Sequence, residues 1–143
     1  MSYIKNNMTN HTLSCGRKHT SEKQLVKSFK NLQRHSKKKS LEIFHMALFY
    51  AAPVFKVHKI KNKRRKKKKN YKKFKELPGF ITNKNARVSS SIRNILNIKT
   101  NESKFHKQLS NEILLSAGKK SRTLFDVTEA QKRVLAKKRH LFY

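Results

Sequence analysis

The chain has 143 residues, which suits one domain with short extensions, and its 37 lysines and arginines face only seven acidic residues. A net charge of +30 destabilises a compact state by self-repulsion, so it indicates a polyanionic partner. Nucleic acid is the first candidate for this partner, and an anionic membrane surface is the second. The single cysteine excludes an internal disulfide, and no apolar run reaches the length of a membrane helix.

The first twenty residues are polar, rich in Asn, Thr, Ser and His, and contain no acid. Residues 1–20 are therefore predicted to form a flexible basic N-terminal arm ahead of a folded domain over residues 21–143. His11, Cys15 and His19 recur every fourth residue, a spacing that could present three metal ligands on a helix. Structural zinc takes four ligands and no fourth is evident, so we interpret the spacing as coincidence and expect no metal or cofactor.

Two helices are predicted next. The first begins at Ser21, a residue that can cap a helix, and its apolar stripe at helical spacing consists of Leu25, Val26, Phe29 and Leu32. The second begins at Ser40 and ends before Pro53, and its apolar face consists of Leu41, Phe44, Ala47 and Leu48. We interpret both stripes as parts of a hydrophobic core.

The periodicity then changes from helical to strand-like. Strand-forming residues stand on both sides of a long run of charge, namely Val54, Phe55 and Val57 before it and Tyr71 and Phe74 after it. In that run, eight of the nine residues Lys61–Lys69 are basic. The pattern predicts a β-ribbon at about residues 54–77 with an extended basic tip. A solvated loop would show the same run, and like charges keep it extended until phosphates neutralise them.

Helical spacing returns at Ala86 and predicts three more helices, of which the middle one starts at Asn101 or Ser103 and is closed by Gly118. Their apolar residues are Val88, Ile92, Ile95 and Leu96, then Phe105, Leu109, Ile113 and Leu114, then Leu124, Val127, Val134 and Leu135. Because only 36% of residues are apolar and Gly and Pro are few, we expect a small core and a mainly α fold. The fold class predicted is a helical bundle of about five to six helices with an inserted basic β-ribbon.

Catalytic machinery is not evident in the sequence. The seven acidic residues are scattered, and their positions suit helix caps and pairing on helix surfaces. Motifs for a serine nucleophile, a zinc protease, a phosphate loop or a dinucleotide do not occur. We therefore expect that the protein is not an enzyme and has no small-molecule substrate.

The basic residues form separate groups along the chain, which are Arg17-Lys18, Lys37–Lys39, Lys61–Lys69, Lys119-Lys120-Arg122 and Lys132–Arg139. Lysine outnumbers arginine about three to one, which favours neutralisation of phosphates over reading of base edges. Structured RNA, recognised by shape and phosphate position, fits this pattern best. A basic DNA-compacting or architectural protein is the alternative. A membrane-surface protein is disfavoured because no amphipathic helix has an aromatic-rich insertion face.

The order of two helices, a basic ribbon and three helices resembles the small-subunit ribosomal protein seven family, in its bacterial and organellar form. The resemblance covers about Ser36 to Tyr143, and the segments in register are Ser40-Leu41-Glu42 with Phe44 and Ala47-Leu48, Pro78-Gly79-Phe80-Ile81, Ile92-Arg93-Asn94-Ile95-Leu96, Leu109 to Ile113, Ala117, Lys119, Ala130, Ala136 and Tyr143. Three features depart from the family. Lysine and asparagine replace its Gly-Gly turn at the ribbon tip, Asn94 replaces its Trp, and Thr123-Leu124-Phe125-Asp126 replaces its Lys-Lys-Arg stretch.

The resemblance implies a structural constituent of the small ribosomal subunit that binds the three-prime major domain of small-subunit rRNA and organises head assembly. It implies that ribbon cations face mRNA and the exit-site tRNA; these are Lys61, Lys63, Arg64, Arg65, Lys66, Lys67, Lys68 and Lys69. It implies rRNA contacts for Arg17, Lys18, Lys37, Lys38, Lys39, Arg87, Arg93, Lys119, Lys120, Arg122, Lys132, Arg133, Lys137, Lys138 and Arg139. Neighbouring head and platform proteins are the further partners it implies.

Composition adds an expectation about origin. Heavy use of Lys, Asn, Ile and Phe is what an A/T-rich genome encodes, and the first twenty residues carry one arginine, unlike a transit peptide. Together with the departures from the family pattern, this predicts a divergent, mitochondrially encoded member. Its expected location is the mitochondrial matrix, in the small subunit of the mitochondrial ribosome.

Overall fold

A computed structural model describes residues 2–13, 15–36, 39–61, 74–97 and 104–136, apart from the side chains of residues 2, 59–61 and 74–76. The elements in these ranges are α1 (Ser2–Thr12), α2 (Lys18–His35), α3 (Ser40–Ala51), β1 (Phe55–Lys61), β2 (Phe74–Phe80), α4 (Lys84–Leu96), α5 (Phe105–Ala117) and α6 (Arg122–Ala136). Helices dominate, and the two strands pair antiparallel as a ribbon. The predicted mainly α fold with an inserted β-ribbon is confirmed. None of the helices within these ranges is long and apolar enough to cross a membrane.

Helix α5 is the central element of the bundle and packs against both α2 and α3. Its Leu109 and Ile113 are completely buried, as the apolar spacing predicts. The rings of Phe29 on α2 and Phe44 on α3 meet edge to face with their centroids 5.4 Å apart. Because such aromatic pairs add to the free energy of apolar burial, this contact helps to fix α2 against α3.

Some residues of the predicted stripes lie outside the core. Val26, Leu41 and Leu135 are exposed, whereas Ile43 and Ala51, which the predicted face of α3 omits, are buried. The prediction was wrong for these positions because an apolar residue beside a stripe cannot be assigned to the core until the neighbouring helices are placed.

The N-terminal residues differ from the flexible arm predicted for residues 1–20. Residues 2–12 form α1, whose Met8 and Thr9 are almost completely buried. Helix α2 begins at Lys18, three residues before the predicted start at Ser21. The buried hydroxyl of Ser21 instead hydrogen-bonds to the hydroxyl of Thr12 and donates to the carbonyl of Thr9. Polar residues therefore pack α1 onto α2, and an apolar pattern alone could not reveal that contact.

Side chains of α4 satisfy the carbonyl groups at the end of α3. Pro53 has no N–H, and the N–H of Ala52 donates to Phe49, so the carbonyl of Leu48 lacks its usual helical donor. The hydroxyl of Ser91 donates to Leu48 over 2.8 Å, and the amide of Asn94 donates to the carbonyl of Ala51 over 3.1 Å. Asn94, which stands where the resembled family has Trp, therefore caps a neighbouring helix.

Candidate nucleic-acid interface

The predicted rRNA-binding cations are spread over several elements. Among those described, the exposed ones are Arg17, Lys18, Lys39, Arg93, Lys119, Lys120, Arg122, Lys132 and Arg133, whereas Arg87 is half-buried. Lys37, Lys38, Lys63–Lys69, Lys137, Lys138 and Arg139 lie outside the described residues, and of Lys61 only the backbone, at the end of β1, is described. The structure brings three of these cations, Lys119, Lys120 and Arg122, together on the turn between α5 and α6.

This turn has a defined backbone geometry. The N–H of Lys120 donates to Leu115 over 2.8 Å and the N–H of Lys119 donates to Ser116 over 3.1 Å, a Schellman motif at the end of α5. Such a motif needs one left-handed residue, usually glycine. Here Lys119 takes that conformation with φ +58°, while Gly118, at the helix C-cap, has an ordinary φ of −83°. Gly118 does close α5 as predicted, but the left-handed position falls on the next residue.

A buried acid fixes the start of α6 beside the turn. Glu112 on α5 is 3% exposed, and its Oε1 accepts hydrogen bonds from the hydroxyls of Ser121 and Thr123. The Ser121 hydroxyl also accepts from the N–H of Thr123 over 3.1 Å, as a capping side chain does. The two ends of the basic turn are therefore anchored to α5.

The role of Glu112 differs from the capping or surface pairing expected for the acids. A signal was present in the sequence, because Glu112 follows Leu109 by three residues and precedes Ser116 by four, which places all three on one helical face. Spacing identifies a buried face, but it cannot identify Ser121 and Thr123 as the donors.

An open cleft of about 630 Å³ lies between the end of α3 and the basic turn; it is lined by Tyr50, Lys119, Lys120, Ser121, Arg122, Leu124, Phe125 and Thr128. We refer to it as the α5–α6 cleft. The ammonium group of Lys119 sits 4.5 Å from the centroid of the Tyr50 ring, a cation–π contact. Phe125 is 66% exposed at its edge. The cleft thus combines aromatic faces with cations.

A second cleft, of about 490 Å³, lies where α1 and α2 meet and includes His11, Cys15, Arg17 and Gln24 in its lining. The Nε2 atom of His11 hydrogen-bonds to the hydroxyl of Ser89 over 3.0 Å. Burial, and to a lesser extent the nearby Arg93 guanidinium, lower the pKa of His11 below its ordinary value. In the part of the chain that the structure describes, no three His, Cys, Asp or Glu side chains could together hold a metal ion.

The base of the ribbon is fixed to the helical body. Phe55 pairs with Phe80, and the register continues to Lys61 opposite Phe74. The first strand therefore begins one residue after the predicted start at 54, and the second ends three residues after the predicted end at 77. The side-chain amide of Gln131 accepts from the N–H of Phe55 and donates to its carbonyl, each over 3.1 Å. The ribbon therefore starts from a defined point on α6.

Arg87 strengthens the other side of the base. Its Nε–H donates to the carbonyl of Ile81 over 2.8 Å, and its guanidinium carbon lies 5.5 Å from the centroid of the Phe80 ring. The Phe80 ring in turn meets the Phe55 ring edge to face at 5.4 Å. Arg87 thus joins the end of β2 to the start of α4, a structural role that the sequence did not suggest.

Arg133 is paired on the surface of α6. Its guanidinium lies 2.5 Å from the carboxylate of Glu129 one helical turn away, and both side chains are well exposed. An exposed pair of this kind contributes about 0–1 kcal/mol, so a phosphate can compete for the guanidinium at low cost.

The chain is similar to one protein family over nearly its whole length. The sequence profile of the family described as Ribosomal protein S7p/S5e matches residues 1–138. The match starts at residue 1, so it includes α1 and α2, whereas the resemblance seen in the sequence began at about Ser36. A search of curated protein sequences found no match to the chain.

Proposed function

Because the chain belongs to the ribosomal protein S7p/S5e family, we propose that it binds the three-prime major domain of small-subunit rRNA and organises assembly of the subunit head. Family membership makes it a structural, RNA-binding protein of the small ribosomal subunit and not an enzyme.

The observation that carries the proposal is the basic turn between α5 and α6. Lys119, Lys120 and Arg122 are all exposed there, and the acid next to them, Glu112, is buried and bound to hydroxyls. The turn therefore presents three positive charges to solvent, while the charge of Glu112 is buried. Preorganised cations bind phosphates without a large loss of conformational entropy, which favours recognition of RNA by backbone position.

The other exposed cations extend this surface over the helical body. If ten to fifteen phosphates are contacted, the logarithm of the binding constant falls with the logarithm of salt concentration with a slope of about −7 to −13. The net charge of +30 supports contacts of that number, because so large a charge needs an equally large anionic partner.

We propose that the ribbon serves a different ligand from the helical body. Each strand has seven residues, roughly 20–24 Å of extended chain. Its base is held by Gln131 and Arg87, so both strands leave the helical body from a fixed point. That arrangement supports a position of the ribbon beside the mRNA exit region and the exit-site tRNA, with head and platform proteins as neighbours.

For the cellular location, we propose the mitochondrial ribosome. The support is compositional, namely the abundance of Lys, Asn, Ile and Phe. Sedimentation tests both the ribosome and the location: the tagged full-length chain should comigrate with small mitochondrial subunits after high-salt washing. Recovery with DNA instead would favour the rival DNA-compacting function and overturn the proposal.

A matched pair of variants tests the division between ribbon and body. Replacing Lys66–Lys69 by Ser should leave subunit assembly intact and disturb mRNA or tRNA handling. Replacing Lys119, Lys120, Arg122 and Lys132 by Ser removes the same charge and should instead weaken rRNA binding. If the ribbon variant abolishes head assembly, the proposed division is wrong.

A further inference from the structure

The α5–α6 cleft has a composition that a phosphate site alone does not require. Tyr50 and Phe125 contribute aromatic faces, and Lys119, Lys120 and Arg122 contribute charge. Resting on the proposed rRNA-binding function, we infer that this cleft holds one unstacked base of the RNA. The base lies against Phe125, and the flanking phosphates lie on Lys120 and Arg122.

The aromatic part of the argument rests on Phe125. Its ring is 66% exposed although Leu124, next to it, is 6% exposed, so the first turn of α6 places one apolar side chain in the core and the other in the cleft. Single-stranded nucleic acid binds by stacking bases on such rings, and every base can stack because every base has a π face. Splayed-out bases in RNA loops are recognised in the same way.

Size and charge both suit a nucleotide. The volume of about 630 Å³ lies within the range of roughly 300–1,000 Å³ typical of small-ligand pockets. Its charged lining residues are all cationic, so the cleft is complementary to the phosphates on either side of a base. A duplex would cover the cations but could not place a base against Phe125, because its bases are stacked within the helix.

The backbone conformation of the turn favours this arrangement. Lys119 adopts a left-handed conformation that costs a non-glycine residue free energy, and its ammonium group lies over the Tyr50 ring. Because Lys119 already contacts Tyr50, the flanking phosphates are assigned to Lys120 and Arg122. Glu112 fixes the same turn through Ser121 and Thr123, which preorganises the site before RNA binds.

The test uses the folded full-length chain and a single-stranded oligouridine with one central 2-aminopurine, whose fluorescence is quenched by stacking. The wild-type chain should quench it, and Phe125→Ala should lose the quench and about tenfold in affinity. Phe125→Tyr should retain both, since the ring is kept. The matched control is Tyr3→Ala, which removes another exposed aromatic, 47% exposed on α1, and should leave both values unchanged.

Two further comparisons separate stacking from charge. A strand of the same length in which every base is replaced by an abasic site should bind the wild-type chain as weakly as the intact strand binds Phe125→Ala, because no base can then enter the cleft. The slope of the logarithm of the binding constant against the logarithm of salt concentration should stay the same in Phe125→Ala. It should become shallower by about one in Lys120→Ser, which loses a phosphate contact.

Each opposite result has a distinct meaning. If the chain binds no rRNA at all, the proposed function fails. If it binds rRNA but Phe125→Ala matches wild type, or the abasic strand binds equally well, only the base pocket is overturned. If Phe125→Ala leaves oligonucleotide binding intact yet reduces incorporation into subunits, the cleft binds a protein instead, and the inference is also overturned.

Discussion

Gln131 and Phe55, which are 76 positions apart in the chain, are joined by two hydrogen bonds between a side-chain amide and a backbone peptide group. The amide of Gln131 acts on Phe55 as a neighbouring strand would, by accepting from its N–H and donating to its carbonyl. This relationship sets where the ribbon leaves the helical body.

Replacing Gln131 by Ala should loosen the ribbon base. The two hydrogen bonds are partly exposed, so their loss should lower the free energy of unfolding by about 1 kcal/mol. Hydrogen exchange at the N–H of Phe55 should accelerate by more than exchange at Leu109 in the core, which reports global unfolding. The neighbouring Lys132→Ala is the control, and equal acceleration in both variants would argue against the anchoring role.

Replacing Leu109 by Ala should strongly destabilise the bundle. Leu109 is fully buried on the central helix, so the expected loss is about 2–5 kcal/mol in the free energy of unfolding, measured by urea denaturation. Leu115→Ala on the same helix, where the side chain is 40% exposed, is the control and should cost clearly less. Similar losses would show that α5 packs by another face.

Replacing Glu112 by Ala should destabilise the start of α6. The hydroxyls of Ser121 and Thr123 would lose their buried acceptor. This loss should lower the free energy of unfolding, measured by thermal denaturation, by about 1–3 kcal/mol. Glu112→Gln keeps an acceptor oxygen and should cost less. As a control, Glu129→Ala removes an acid that pairs only on the surface, and its effect should be small. A larger effect at Glu129 would contradict the assignment.

Lys119 offers a test of backbone strain. Lys119→Ala keeps the unfavourable left-handed conformation but loses the contact with Tyr50, so it should be less stable than wild type by about 0.5–1 kcal/mol. Lys119→Gly loses the same contact and relieves the strain, so it should be more stable than the Ala variant by about 1 kcal/mol. Chemical denaturation measures the difference. An Ala variant as stable as the Gly variant would exclude strain at this position.

His11 should make stability depend on pH. Its pKa in the folded chain is lowered by burial and then by Arg93, so the unfolded chain takes up the proton more readily. The contribution of His11 to stability is therefore complete above about pH 6.5, its unfolded value, and is lost as pH falls below it. His11→Asn should remove this loss, and Arg93→Gln should reduce it. Unfolding free energies that follow the same pH profile in all three proteins would disprove the role.

Periodicity predicted the features that depend on local spacing. The buried faces of α4 and α5, at Ile92, Ile95, Leu109 and Ile113, follow from helical repeats that any neighbouring element must cover. The ribbon followed from strand formers on both sides of a charge run. The cations of the α5–α6 turn were identified because charge groups are visible without a fold.

What the sequence could not predict depends on contacts between distant residues. The pairing of Gln131 with Phe55 and the capping of Ala51 by Asn94 involve polar side chains that look like surface residues until two elements meet. Helix α1 is not predicted because its sequence is mostly polar and it buries a polar residue, Thr9, as completely as Met8. The cleft was missed because its two aromatic residues, Tyr50 and Phe125, come from helices far apart in the chain.

The hydrogen bonds from Ser91 and Asn94 to the end of α3 have a consequence for how this protein can change over evolution. They join α3, which precedes the ribbon, to α4, which follows it, by contacts in which the ribbon takes no part. The entropy of closing a loop grows slowly, by about 0.6 kcal/mol for each doubling of its length. Insertions and deletions at the tip therefore cost the bundle little stability, and the reach of the ribbon can be adjusted independently of the domain that carries it.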